Sequence, residues 1–224
     1  MFAWIFYTTL LFATPEKKSW EKIHQEAGIT IYSRTKPGTN YYKYRGVGVV
    51  YQEPSKVFTI IQDAKLVTEW VSGTKNIKLL QKNYDAASYG RDPREFIQVI
   101  YGQSIAPWPF QDRDYYLQGR VDLQNKSATI KLNDIKASSY PPREGLTRMR
   151  YMNIEFKLTP VKGGKHCLLD FTLDVHPGGI IPFFVVNHLA KKETIRTLKN
   201  LRKLTSRSDY DKGVEKLVLH YWKY

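Results

Sequence analysis

Apolar residues recur along this chain with two periods, about 3.6 near its C-terminal end and 2 through most of its middle. In the stretch His176 to Leu204, a turn of about 100° per residue puts Phe183, Val186, Ala190, Thr194, Thr197, Leu198, Leu201 and Leu204 on one side. Lys191, Lys192, Arg196, Lys199, Arg202 and Lys203 fall on the other. The pattern predicts one long helix with a face for a core and a face for water or anions. Gly178-Gly179 break the preceding strand, and Pro182 suits a first helical turn, where a missing N–H costs nothing.

Ahead of this helix the period is mostly 2. Ser19 to Gly28 predicts a short helix, with Gly28 as its stop, followed by a strand from Ile29, a Pro37-Gly38 turn and a second strand over Tyr41 to Tyr51. Pro54-Ser55 introduces a helix over Lys56 to Leu66, and Trp70 follows on the descending loop. Further strands are expected over Asn76 to Gln81, Ala87 to Tyr89, Arg94 to Gln103, Tyr115 to Leu123, Ser127 to Ile135, Thr147 to Leu158 and Cys167 to His176. In the last of these, Cys167, Leu169, Phe171, Leu173 and Val175 alternate with Asp170, Thr172, Asp174 and His176, so one face is buried and one is wet. The result is an antiparallel meander bracketed by helices, an α+β arrangement.

Composition narrows the partners without naming one. The 224 residues read as one domain over 19–205, with a short segment at each end. Lys and Arg number 35 against 21 Asp and Glu, a formal +14 that favours anionic surfaces but is scattered along the chain. The single Cys167 and the unspaced histidines give neither a disulfide framework nor a metal-ligand set. No cofactor is implied. No helix-turn-helix, zinc finger or RNA-binding aromatic motif stands out, so no specific nucleic acid is expected. The apolar run Phe2 to Ala13 is too short to span a bilayer, which needs roughly 20 helical residues, and residues 1–14 read as a leader for export. In 206–224, Val214, Leu217, Val218 and Tyr221 sit at helical spacing, an amphipathic extension.

Five pieces then occur in order: GITIYSR at Gly28–Arg34, YRGVGVV at Tyr44–Val50, Trp70, APWPFQDRDYY at Ala106–Tyr116 and the PGG-x-x-P helix entry after Asp174. Together they resemble the START domains, the lipid-transfer domains related to steroidogenic acute regulatory protein, and most of all small, often exported bacterial members. The resemblance implies a helix-grip fold: a curved antiparallel sheet wraps the C-terminal helix and leaves a hydrophobic tunnel for one lipid, with the Pro107–Asp112 loop as part of its gate. Strand parity and the helix face make Trp70, Val99, Tyr101, Trp108, Leu117, Arg148, Phe156, Leu169, Phe171, Phe183, Val186, Asn187, Ala190 and Leu198 the candidate tunnel residues. Trp108, on a stiff proline-flanked backbone, suits either a wet–dry boundary or a plug in the sheet end. Arg113 and Asp114 are expected to pair and pin the loop to the next strand. The basic helix face would meet anionic headgroups, at about 1 kcal/mol per charge in low salt. A monomeric, non-enzymatic lipid carrier is the expectation. Polyketide cyclases and aromatases resemble the same fold, and for such chemistry the polar candidates are Tyr101, Arg148, Arg150 and Asp170.

Overall fold

A computed structural model describes residues 19–83, 97–135, 140–141, 143–207 and 222. The strand expected at Ala87 to Tyr89, the 1–14 leader and most of the 206–224 extension lie outside the described residues.

The chain opens with β1 (Glu21–Glu26), β2 (Ile29–Thr35) and β3 (Tyr42–Val50). The helix expected over Ser19 to Gly28 is therefore a strand. Ala27 and Gly28 both have positive φ, +48° and +67°, and Glu26 pairs with Ile29 across them. This is a two-residue hairpin turn, a role in which glycine is as common as at a helix end. The chain then crosses to the far edge of the sheet through α1 (Pro54–Gln62) and α2 (Val67–Trp70), so Trp70 ends a short helix rather than lying on a loop. Pro54 occupies the first turn of α1, where its missing N–H is harmless. Val57, Phe58, Ile60 and Ile61 are all buried there.

From the far edge the strands return by hairpins: β4 (Thr74–Lys82), β5 (Ile97–Ser104), β6 (Arg113–Gln124) and β7 (Ser127–Asp134). The single strand expected over Thr147 to Leu158 is split into β8 (Thr147–Arg148), which runs parallel to β6, and β9 (Tyr151–Val161). A local tie causes the break. Arg148 donates from Nε and Nη2 to the two carboxylate oxygens of Asp114, at 2.8 and 3.0 Å, and the Met149 N–H goes to the Asp114 carbonyl. β10 (His166–His176) then closes the order β1-β2-β3-β10-β9-β7-β6-β5-β4.

α3 (Phe183–Thr205) lies across the concave face. Its 23 residues span about 35 Å at 1.5 Å each. Val186, Ala190, Thr194, Thr197, Leu198, Leu201 and Leu204 are buried as the spacing predicts, while Phe183 at the entry is exposed because the helix begins beyond the edge of the sheet's cover. The approach to β3 is close: a Cβ built on Gly46 would stand 2.3 Å from Leu198 Cδ1. At the opposite end from the helix entry, Trp222 packs edge-on against Phe58 at 5.6 Å and donates its indole N–H to the Lys126 carbonyl.

Candidate functional site

Between α3 and the sheet lies an apolar cavity, and its walls follow from strand parity. In β9, Met152, Ile154 and Phe156 point inward; in β10, Phe171, Leu173 and Val175 do so. Phe156 and Phe171 are register partners whose rings stack at 4.9 Å, and Trp70 meets Phe156 edge-on at 5.7 Å. The Trp70 indole N–H is buried with no hydrogen-bond partner in the structure. Val186, Leu189 and Ala190 of α3 form the roof. The lining is mostly apolar, and the space opens to solvent on one side.

Of the residues expected in the tunnel, Trp70, Leu117, Phe156, Phe171, Val186 and Ala190 line this space. The others stand elsewhere. Val99 and Tyr101 face outward, because the inward parity of β5 belongs to Gln98 and Ile100. The outer face there is itself covered: Tyr101 packs against Tyr116, Tyr116 stacks on Tyr140 at 4.2 Å, and Arg143 lies 4.2 Å over the Tyr101 ring. With both faces of β5 buried, apolar alternation carries no sidedness. Leu169 and Leu198 are spent in the dry contact between β10, β3 and α3. Asn187 bridges backbone instead, accepting from the Tyr42 N–H and donating to the Asn40 carbonyl. Arg148 is committed to Asp114, so the expected Arg113–Asp114 pair does not form. Trp108 and Phe183 are solvent-facing, Trp108 92 % exposed.

The mouth is built from three segments. Ile105, Ala106 and Pro107 form one lip; the turn after α2, with Ser72, forms another; Pro177 and Ile181 before α3 form the third. Asp112 fixes the first lip by accepting the Ala106 N–H at 2.9 Å and pairing with Lys75 at 2.5 Å, which together hold its carboxyl below the usual range. The third lip turns on Gly178, with φ +66°, where a Cβ would meet the Arg148 carbonyl oxygen at 2.4 Å. Arg113 spans two lips, donating to the carbonyls of Gln111, Pro177 and Gly178. Burial pushes its guanidinium pKa down, with Asp112 opposing. Tyr115, behind it, is pushed up to about 12 by burial and stays a neutral phenol. Around the lips stand exposed apolar side chains: Ile105 and Trp108 on one side, Ile180, Phe183 and Phe184 on the other.

The basic face of α3 is only partly free. Lys199 pairs with Glu26 at 2.6 Å and Arg202 donates to the carbonyls of Ala27 and Gly28, so both hold the β1–β2 turn. Arg196 reaches Glu193 at 3.5 Å; Lys192 and Lys203 are exposed, and Lys191 is half-buried. Sequence reasoning missed Arg113 as a cavity residue, and missed Met149, which the β8–β9 break brings to the same face as Met152.

This geometry has counterparts among known proteins. A Pseudomonas aeruginosa protein of uncharacterised function is 25% identical over 186 residues, covering 83% of this chain and 86% of its own length. Phosphatidylcholine transfer protein of Rattus norvegicus is 26% identical over 191 residues, 82% of each chain. The crystal structure of a STAR-related lipid transfer protein from Xanthomonas axonopodis superimposes with a TM-score of 0.73 at 21% identity, covering 85% of this chain and 100% of that one. The START domain family model matches residues 8–209, and with the helix-grip architecture in place the chain belongs to the START domain family.

Proposed function

We propose that this protein binds one lipid or lipid-like molecule between α3 and the sheet and carries it to and from membranes, without chemistry on the ligand. The observation that carries the reading is an apolar cavity whose mouth is ringed by exposed apolar side chains. An apolar lining of this kind favours a hydrocarbon chain over water. Similarity to the rat phosphatidylcholine transfer protein and to the Xanthomonas lipid transfer protein supports it.

In this reading the rim of the mouth shares membrane contact with the free part of the basic helix face. Lys199 and Arg202 are tied into the fold, whereas Trp108, Ile180 and Phe184 stand free beside the opening. An indole and a phenyl ring at such tips suit the interface between headgroups and acyl chains. The remaining exposed lysines add attraction to an anionic surface.

The residues open to a cyclase do not converge. Asp170 is bound to Arg45 at 2.8 Å on the outer face, Tyr101 accepts from Gln103 at 2.7 Å, Arg148 holds Asp114, and Arg150 is exposed. None of the four lines the cavity. Native mass spectrometry of the gently purified protein, followed by solvent extraction, tests the proposal. A one-to-one adduct that dissociates as a lipid is expected; a protein that stays empty after incubation with mixed-lipid vesicles overturns it.

A further inference from the structure

Arg113 stands out among the charged groups at the cavity. It opens β6 and is 4% exposed, yet its acidic sequence neighbours are both engaged elsewhere, Asp112 by Lys75 and Asp114 by Arg148. Among the described residues no carboxylate lies within 4 Å of its guanidinium. Its partners are three main-chain carbonyl oxygens: Gln111, and Pro177 and Gly178 at 3.4 and 3.5 Å, beyond the usual range for such bonds. Carbonyl dipoles orient a guanidinium but do not neutralise it, and arginine does not shed its proton in proteins. Asp112 acts on it only at a distance and is shared with Lys75, so the desolvated cation has no direct ion pair, and an anion bound to it offsets the cost of its burial.

The rest of the wall fixes the direction. Glu193, the other charged side chain lining the cavity, is already held by Ser72 and Arg196. Tyr115 and Leu117 follow Arg113 on the same inward face of β6, and at about 3.4 Å per residue that row runs roughly 14 Å in from the mouth. Leu117 leads on to Ile100, Phe156 and Phe171, all apolar.

We propose that Arg113 is a head-group anchor at the mouth: the ligand is an amphiphile with an anionic oxygen-bearing head, a carboxylate or a phosphate ester, and an apolar tail laid inward along Tyr115 and Leu117. This rests on the lipid-carrier reading above and deepens it. A planar guanidinium suits both heads, which present paired oxygens.

The test compares matched ligands that differ only in the charged head, by displacement of a fluorescent lipid at pH 8: oleic acid against methyl oleate, and phosphatidate against the diacylglycerol with the same chains. The acid or the phosphatidate is expected to bind about tenfold or more tightly than its neutral partner, and the pair with the wider gap names the head. Arg113→Gln should close that gap by weakening the charged ligand at least about tenfold more than its neutral partner, and Arg113→Lys should keep part of it. Equal binding of charged and neutral partners to the unmodified protein overturns the anchor and leaves the carrier reading standing. So does a loss in Arg113→Gln that affects both partners alike, which is the mark of a loosened mouth. Binding of none of the four overturns the anchor together with the carrier reading.

Discussion

The two halves of α3 are made of similar residues and do opposite work. From Leu198 to Leu204 the helix lies so close to β3 that a Cβ at position 46 would displace the Leu198 side chain, and Leu198 and Leu201 are buried. From Phe183 to Glu193 the same helix stands off the sheet, with Val186, Leu189 and Ala190 lining the cavity and Phe183 and Phe184 in solvent. Amphipathic spacing is continuous through both. The difference comes from the opposing surface: glycines on β3 admit the C-terminal half, while the inward side chains of β9 and β10 and the lips of the mouth keep the N-terminal half at a distance.

The comparison breaks if damage to one half spreads to the other. The largest effect expected is on stability: Leu198→Ala should cost about 2–5 kcal/mol, read from denaturant unfolding, with ligand stoichiometry unchanged. Next is the converse, Ala190→Phe, whose ring would occupy the cavity from the roof. Lipid uptake should fall at least about tenfold while the melting temperature holds or rises, and a comparable loss of both would show that the halves are not separable. Smaller again, Trp108→Ser with Phe184→Ser should slow transfer between vesicles by about tenfold, on the scale of one partly buried aromatic side chain each, without emptying the protein of bound lipid.

The smallest effect concerns pH at the first lip. The Asp112 carboxyl is held below its ordinary value by Lys75 and the Ala106 N–H, so the stabilisation it supplies is present above the unfolded value near 3.8 and is lost as pH falls through the folded one. Hydrogen exchange at the Ala106 amide, corrected for its intrinsic rate, should therefore quicken between about pH 5 and about pH 3. Asp112→Asn should remove that pH dependence. An unchanged exchange profile would show that the lip is held by other contacts.

Legibility in the sequence depended on whether an element keeps one face in water. The elements with one wet face were readable: the stripe from Val186 to Leu204 and the alternation of Cys167 to Val175 each oppose a buried face to an exposed one. The mouth was not. β5 is covered on both sides, so Val99 and Tyr101 could not be told from Gln98 and Ile100 by pattern. β1 was masked by Gly28, whose positive φ serves a hairpin as well as a helix end. Asp114 has two arginines within reach, Arg113 beside it and Arg148 from β8, and a choice between partners 1 and 34 residues away is made by tertiary structure. The basic stripe of α3 reads as a free surface until the β1–β2 turn is seen to claim Lys199 and Arg202.

Trp222 bears on where this domain ends. The family match stops at residue 209, yet thirteen positions later an indole is 5% exposed, lodged against Phe58 of α1 and bonded to the turn between β6 and β7. A chain cut at the family boundary would bare Phe58 and leave the Lys126 carbonyl without that donor, a loss of about 3–5 kcal/mol by analogy with removal of a buried tryptophan ring. The stretch matched by kinship and the stretch that contributes to the core thus have different C-terminal limits in this protein, for the core draws on an indole that the family likeness leaves out.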